Sequence, residues 1–152
     1  MDDTQAILRH AELFDVLNPE ALEAVARACA RRDVAAGEVV FREDEPGDFA
    51  FVVASGRFGV GKRSDAGVEV TLRELGPGEA GGLTSMSVDK TRSATLQARE
   101  RGQLLTIAKA DFIALVGAHP SLAQALIAYL GEKVRRKTRS LATLRAGNQD
   151  FR

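Results

Sequence analysis

The stretch from Gly78 to Thr95 reads GEAGGLTSMSVDKTRSAT and contains the parts of a small anion site. The pair Gly81-Gly82 lets the backbone turn sharply and lets a ligand approach main-chain N–H groups. Small and hydroxylic residues follow, and the start of a short helix there would add free amides and a positive dipole end. Arg92 supplies a cation whose forked donors suit phosphate. The stretch therefore predicts a phosphate cradle, although an ordinary loop beside a surface arginine has the same spacing.

The composition predicts one globular domain without a strong overall charge. The chain has 152 residues, of which 45% are apolar and 28% charged, and 21 Lys and Arg balance 21 Asp and Glu. A net charge near zero does not attract nucleic acid or an anionic membrane, so an anion site must be local. The single cysteine excludes an internal disulfide and fits a reducing compartment. With no membrane-length apolar run and no secretory signal, the sequence predicts a cytoplasmic location.

Before this stretch, the first part of the chain has helical periodicity. Residues Thr4 to Phe14 form a short amphipathic segment. Asn18 is typical of an N-cap, and Pro19 occupies the favoured first position of the next helix. Cys29 lies on the apolar face of that helix, where a small buried hydrophobe is the expected role and a redox or metal role has no second cysteine to support it.

The central part of the chain changes to short β-favouring runs separated by glycine-rich turns. Many short strands at near-regular spacing are typical of a small antiparallel sandwich or barrel. The predicted strands are Glu38 to Phe41, Phe49 to Ala54, Arg57 to Gly61, Val68 to Leu75, Thr95 to Ala98 and Gln103 to Ala108.

The last part of the chain returns to a helical pattern. A brief helix is predicted over Asp111 to Val116, and a longer one with a leucine stripe over about Ser121 to Leu144. We therefore expect a domain over residues 1–145 and a flexible polar tail over residues 146–152.

This order of elements resembles the cyclic-nucleotide-binding domain shared by catabolite-activator-type regulators and the regulatory subunits of cyclic-AMP-dependent protein kinase. Three groups of motifs carry the resemblance: LF and LNPE from Leu13 to Glu20; GEVVFRE, PGD and SG from Gly37 to Gly56; and LGPGE, Gly82 and RSAT from Leu75 to Thr95. It covers residues 12–144. It implies a mainly β fold, an antiparallel double-stranded β-helix or jelly-roll-like β-roll, with N-terminal helices and a long C-terminal helix.

The same resemblance implies that the opening stretch is the family's phosphate-binding cassette. In the family, the glycine that matches Gly82 is followed by a glutamate that binds the ribose 2′-hydroxyl, whereas this chain has Leu83, and Ala80 replaces an aromatic residue. Recognition of the sugar is therefore expected to differ from that of cyclic AMP binders. The ligand-binding residues implied are Gly81, Gly82, Leu83, Thr84, Ser85, Arg92 and Ser93.

Two interpretations of the cassette stay open on sequence alone. In one, Arg92 and backbone amides bind a cyclic nucleotide or related phosphate ligand, with Thr84 and Ser85 hydroxyls partly replacing the lost acceptor. In the other, Arg92 pairs with a carboxylate such as Asp89, no nucleotide binds, and the domain is a degenerate module for protein interaction or dimerisation.

The long C-terminal helix is the second functional element that the resemblance implies. In the family it closes over the base and often pairs two subunits. Leu126, Tyr129 and Leu130 are the candidates to face the base, with core or dimer packing as the alternative role. A basic run from Lys133 to Arg139 is expected to be a solvated face that complements the helix dipole, with a surface for a partner or nucleic acid as the weaker alternative.

The sequence offers no support for catalysis or a metal site. His10 lies in the predicted N-terminal helix and His119 lies beside Pro120 at a helix start, and the two form no ligand pair or nucleophile–base motif. We expect no catalytic residues, no metal and no resident cofactor, with a cyclic nucleotide as the candidate ligand. A haem sensor and a β-roll enzyme are weaker alternatives. Direct DNA binding is not expected, because the sequence stops at the helix after which DNA-binding relatives in the family append a helix-turn-helix. In a fragment of a longer protein, that output domain would be missing, and this alternative stays open.

Overall fold

The computed structural model describes residues 3–83 and 91–150, with side chains described for all of these except 137 and 139–150. Within these ranges, eight antiparallel strands form two four-stranded sheets, and helices flank them. The helices are α1 (Thr4–Arg9), α2 (Pro19–Ala28), α3 (Lys109–Ala118) and α4 (Pro120–Asp150), with a 3₁₀ turn at Phe14–Val16. The strands are β1 (Ala30–Val34), β2 (Val39–Phe41), β3 (Phe49–Ser55), β4 (Phe58–Arg63), β5 (Glu69–Leu75), β6 (Ala80–Gly81), β7 (Thr95–Ala98) and β8 (Gly102–Ala108).

The strand order confirms the predicted β-roll. One sheet has the order β1-β8-β3-β6 and the other β2-β7-β4-β5, and every recorded pair is antiparallel. The predicted strands all appear with small shifts at their ends. Two strands were not predicted: β1, whose sequence ARRDV has only Val34 buried, and β6, which is two residues long and is held by pairing with β3.

Strand β3 lies between the two halves of the core, which explains its nearly continuous apolar sequence. Phe51 and Val53 belong to the cluster between the sheets, whereas Ala50 and Val52 belong to the cluster beneath the helices. Successive side chains of a strand point to opposite faces, so a strand covered on both faces needs apolar residues at every position. Burying each large side chain contributes about 1.5–3 kcal/mol.

The segment between α1 and the 3₁₀ turn is hydrogen-bonded to β6 and to the turn before it. The N–H of Glu12 donates to the carbonyl of Gly78 at 2.9 Å, and its carboxylate accepts from the N–H of Ala80 at 3.0 Å. The predicted cap is confirmed, because Asn18 Oδ1 accepts from the N–H of Ala21 at 2.9 Å. The first helix is shorter than predicted, and Leu13 has a φ of +73° before the 3₁₀ turn.

Both C-terminal helices are longer than the sequence predicted. α3 starts at Lys109 instead of Asp111, and α4 runs from Pro120 to Asp150 instead of Ser121 to Leu144. The flexible tail over residues 146–152 stays a prediction. In the described residues no single helix could cross a membrane; α3 and Pro120–Arg136 meet the length and composition requirement only as a pair bent by 113°.

Candidate ligand-binding site

A cavity of about 780 Å³ opens between the β-roll and α4. Its volume lies in the upper part of the range for small-molecule sites. The wall of the cavity is formed by strands from both sheets, by the segments that follow β6 and precede β7, and by the middle of α4. The residues that line it are Phe41, Phe51, Val60, Lys62, Leu72, Arg73, Leu75, Gly81, Gly82, Leu83, Arg92, Ser93, Ala94, Thr95, Leu96, Tyr129, Leu130, Lys133, Val134 and Arg136.

The two glycines are required by close contacts at the wall of this cavity. Gly82 has a φ of +80°, which L side chains rarely adopt, and a Cβ atom there would lie 2.7 Å from Nη1 of Arg92 and 2.9 Å from the carbonyl oxygen of Phe49. A Cβ atom on Gly81 would lie 2.5 Å from Cζ of Phe51. The glycine pair therefore lets the chain pass directly against the arginine and the phenylalanine ring.

The side chain of Arg92 is held inside the protein at the cavity wall. It is 2% exposed, and its Nη2 donates to the carbonyl of Phe49 at 2.8 Å. Its guanidinium carbon lies 4.0 Å from the ring centroid of Phe41 and 4.5 Å from that of Phe49, so two aromatic rings flank the cation. This arrangement orients a guanidinium at the cavity wall without solvent around it.

Burial is the main influence on the protonation of Arg92. Desolvation lowers the pKa of its guanidinium, and the carboxylates of Asp48 and Glu45 act in the opposite direction. Arginine remains charged in proteins, so the site keeps a fixed positive charge. The backbone is anchored as well: the N–H of Arg92 donates to the carbonyl of Glu45 at 2.7 Å, and the N–H of Asp44 donates to the carbonyl of Arg92 at 2.8 Å.

The structure brings most of the predicted site residues together. Thr84, Ser85 and the alternative partner Asp89 lie outside the described residues. Leu126 is separated from the others: it packs against the helical cluster that contains Leu122 and does not line the cavity. The physical reason is that the first turns of α4 cover the other helices, and α4 reaches the cavity only farther along. The predicted residues that line the cavity are Gly81, Gly82, Leu83, Arg92, Ser93, Tyr129 and Leu130.

Tyr129 presents a neutral aromatic ring to the cavity. Burial raises the pKa of its hydroxyl to about 12, to which the carboxylate of Glu12 also contributes, while Arg73 and Arg136 act in the opposite direction. The hydroxyl donates to the carbonyl of Ala80 at 3.5 Å, a long contact. The ammonium of Lys133 lies 4.9 Å from the centroid of the ring. The ring can therefore stack on a ligand, while its hydroxyl stays protonated at neutral pH.

Four of the basic side chains at the cavity were not predicted to belong to the site. Lys62 and Arg73 come from paired strands β4 and β5, and Lys133 and Arg136 come from the α4 run that was expected to be only a solvated face. The spacing of these residues in the sequence could have indicated that they share a face with predicted or apolar lining residues. Residues 60 and 62 share one face of β4, and residues 129, 133 and 136 share one face of a helix. Among the described lining residues, no Asp or Glu accompanies these cations.

Metal binding and cysteine chemistry were the other kinds of site considered from the sequence. In the part of the chain that the structure describes, no group of three or more His, Cys, Asp and Glu side chains is arranged to hold a metal ion. Cys29 is partly buried against the helical cluster, and burial raises the pKa of its thiol to about 11. A thiol with such a high pKa is a poor nucleophile at neutral pH.

Comparison with known proteins identifies the family of this chain. The model of the cyclic nucleotide-binding domain family matches residues 31–119, more than half of the chain. Over 128 residues the chain is 32% identical to the cyclic AMP receptor protein of Thermus thermophilus, a match that covers 84% of this chain and 59% of that protein. The chain thus spans about three fifths of the length of this relative.

Solved structures show the same fold. The crystal structure of the Thermus thermophilus catabolite activator protein matches with a TM-score of 0.80 and 32% identity, over 87% of this chain and 62% of that one. The regulatory domain of Toxoplasma gondii PKA, co-crystallised with cAMP, matches with a TM-score of 0.69 and 27% identity, over 74% of this chain and 43% of that one. The family match, the shared fold and the cavity together place the chain in the family of cyclic nucleotide-binding domains.

Proposed function

We propose that this chain is a regulatory sensor domain that binds a cyclic nucleotide or a related phosphate ligand in the cavity beside α4. The observation that carries the proposal is the buried guanidinium of Arg92 at the cavity wall, next to Gly82. A cation that is oriented in advance and shielded from water binds phosphate more strongly than a solvated one, because the electrostatic interaction is less screened. The proposal includes a cytoplasmic location and no enzymatic activity.

The ligand's sugar is proposed to be recognised differently from that of ordinary cyclic AMP binders. Leu83 lines the cavity at the position that follows Gly82, where the resemblance places the family's glutamate. Losing a hydrogen bond to a charged group costs about 1.5–3 kcal/mol, or about ten- to a hundredfold in affinity. We therefore expect a ribose 2′-hydroxyl to contribute little to binding.

The output of the domain is proposed to pass through α4. Tyr129, Leu130 and Lys133 line the cavity from this helix, so a ligand that contacts them changes its packing. Ile127 and Val134 lie seven residues apart on the same helix and are 71% and 63% exposed. An exposed apolar stripe with this spacing is typical of a helix that pairs with another, which supports a homodimer or a protein partner. Direct binding to nucleic acid is not part of the proposal.

A second candidate function is protein interaction without a nucleotide, and the exposed Ile127 and Val134 support it as well. The carbonyl of Phe49 accepts from the Arg92 guanidinium, so the guanidinium is held in place by the protein itself and needs no ligand to hold it. A domain of this kind could act as a constitutive dimerisation or interaction module that binds no nucleotide.

Calorimetric titration and thermal denaturation distinguish the two candidates. A cyclic nucleotide at a hundred times its dissociation constant adds about 2.7 kcal/mol to the free energy of unfolding. We expect cyclic AMP or cyclic GMP to stabilise the wild type and not the Arg92→Gln variant, whose fold is checked by circular dichroism. The matched control is Arg63→Gln, because Arg63 lies on an exposed end of β4 and does not line the cavity. Cyclic di-GMP is titrated in the same way, as a related phosphate ligand. Binding of none of the three nucleotides, or equal binding by the Arg92 variant, would leave the interaction module as the function.

A further inference from the structure

The strand that contains the first glycine of the pair lies at the edge of its sheet. β6 comes last in the order β1-β8-β3-β6 and consists only of Ala80 and Gly81. Ala80 is 1% exposed, so its backbone N–H and C=O groups need partners within the protein. An edge strand is paired with another strand on one side only, so groups that point to the other side must be bonded by something else.

The hydrogen bonds of this segment show that the backbone groups of Ala80 point away from β3. The carbonyl of Glu79 accepts from the N–H of Val53 at 2.9 Å, so Glu79 faces β3, and successive residues of an antiparallel strand alternate in direction. Side chains bond both outward groups of Ala80. The carboxylate of Glu12 accepts from its N–H at 3.0 Å, and the hydroxyl of Tyr129 donates to its carbonyl at 3.5 Å. The Glu12 bond is the stronger of the two, because it is shorter and its acceptor is charged.

Glu12 is itself held against the turn that precedes β6. Its N–H donates to the carbonyl of Gly78 at 2.9 Å, so one residue bonds both the turn and the strand. Gly78 has a φ of +87°, and a Cβ atom there would lie 3.2 Å from the carbonyl oxygen of His10. The end of α1 therefore lies directly against the turn, and the carboxylate of Glu12 bonds Ala80 from a fixed position.

Close contacts connect the position of Ala80 to the proposed phosphate site. A Cβ atom on Gly81 would lie 2.5 Å from Cζ of Phe51, and one on Gly82 would lie 2.7 Å from Nη1 of Arg92. Close-packed interiors are poorly compressible, so a displacement of one group passes to its neighbours. A displacement of Ala80 therefore reaches the guanidinium through the two glycines.

We infer that Glu12 is a positioning residue for the phosphate site: its carboxylate fixes the amide of Ala80 and thereby the approach of Gly82 to Arg92. Glu12 does not line the cavity, so it acts through the backbone and does not touch the ligand. Its effect on ligand affinity rests on the proposed function, whereas its effect on Arg92 needs no ligand. By linkage, a ligand held at Arg92 also stabilises the bond between Glu12 and Ala80, which connects the site to the N-terminal segment as well as to α4.

Two substitutions of Glu12 test this role by calorimetry with cyclic AMP and cyclic GMP. Glu12→Ala removes the acceptor and should weaken binding about two- to tenfold. Glu12→Gln keeps an oxygen that accepts from the same N–H, so it should bind nearly as the wild type does. Asp15→Ala is the control, because Asp15 is exposed on the neighbouring 3₁₀ turn. Circular dichroism checks that each variant is folded. Equal losses for the two Glu12 variants, or no loss for Glu12→Ala, would overturn the inference.

A double-mutant cycle separates positioning of Arg92 from a general loss of stability. Arg92→Lys keeps a positive charge at the site but lacks the forked donors whose direction Gly82 and Ala80 are inferred to set. Glu12→Ala should therefore weaken binding less in the Arg92→Lys background than in the wild type. The same loss in both backgrounds would show that Glu12 does not act through Arg92.

Nuclear magnetic resonance gives a readout without any ligand. In Glu12→Ala, the amide proton of Ala80 should exchange with solvent faster and the Nε–Hε signal of Arg92 should shift, whereas Asp15→Ala should change neither. If the Arg92 signal shifts but the wild type binds no nucleotide, the positioning role stands and the proposed function fails. If the wild type binds nucleotide but Glu12→Ala leaves the Arg92 signal unchanged, the proposed function stands and the positioning role is wrong.

Discussion

A Cβ atom on residue 82 would lie 2.7 Å from Nη1 of Arg92, so the absence of a side chain at Gly82 is what lets the guanidinium occupy the cavity wall. The two residues belong to different parts of the strand order, because Gly82 follows β6 in one sheet and Arg92 precedes β7 in the other. The phosphate site that we propose is thus built across the two sheets of the β-roll, and either residue without the other loses its role.

The first prediction concerns this contact. Gly82→Ala should destabilise the protein by about 1–2 kcal/mol for the backbone conformation and further for the collisions with Nη1 of Arg92 and the carbonyl oxygen of Phe49, and should weaken nucleotide binding. Gly37→Ala is the matched control, since Gly37 has a φ of +84° and a Cβ atom there would have no atom within 4 Å beyond its chain neighbours. Urea denaturation measures the free energy of unfolding of both. Equal losses in the two variants would mean that the close contacts of residue 82 with Arg92 and Phe49 have no energetic effect.

The second prediction concerns the residue that follows the glycine pair. Leu83→Glu should increase affinity for cyclic AMP by about ten- to a hundredfold, because a charged acceptor is restored for the ribose 2′-hydroxyl. The 2′-deoxy analogue of cyclic AMP should gain nothing, and Leu83→Gln should gain less than Leu83→Glu. Calorimetry measures all of these. An equal gain for the 2′-deoxy analogue would contradict the assignment of position 83 to the sugar.

The third prediction uses Tyr129, which is the single tyrosine in a chain without tryptophan. Burial raises the pKa of its hydroxyl from 10.0 to about 12, so at pH 11 the folded protein should contain mostly phenol and the urea-unfolded chain mostly phenolate. Phenolate absorbance measures both, with circular dichroism to show that the fold persists. A midpoint near 10 in the folded protein would contradict the burial of this hydroxyl.

The same shift has a consequence for stability. The folded state keeps the Tyr129 proton to a higher pH than the unfolded state, so its contribution to the free energy of unfolding is complete below pH 10 and is lost as the pH rises toward 12. In the Tyr129→Phe variant, the free energy of unfolding should therefore decrease less between pH 10 and pH 12 than in the wild type. The same variant should leave nucleotide affinity nearly unchanged if the ring alone contacts the ligand.

The fourth prediction concerns the exposed stripe of α4. Ile127→Gln/Val134→Gln should raise the dissociation constant of self-association at least about tenfold, because two apolar contacts leave the pairing surface. Analytical ultracentrifugation measures it. Val16→Gln is the control, since Val16 is 68% exposed on the 3₁₀ turn, outside α4. A monomeric wild type would contradict pairing between copies, and an unchanged constant in the double variant would contradict this surface.

Features that depend on neighbours in sequence could be predicted from the sequence alone. The cap formed by Asn18 and Pro19, the glycine-rich turns and the apolar run of β3 arise from local backbone preferences and from the alternation of side chains along a strand. The motifs around Gly82 and Arg92 were local enough to indicate the family and the phosphate half of the candidate site.

Other features depended on contacts between distant segments and could be read only from the tertiary structure. β1 forms because β8 supplies its hydrogen bonds, although its own sequence is charged. Leu126 and Leu130 lie one turn apart on α4, yet only the path of the helix decides that the second faces the cavity and the first faces the helical core. Lys62, Arg73 and Arg136 look like ordinary surface residues in sequence; they share one opening because strand pairing and helix packing place them there, which no local preference encodes.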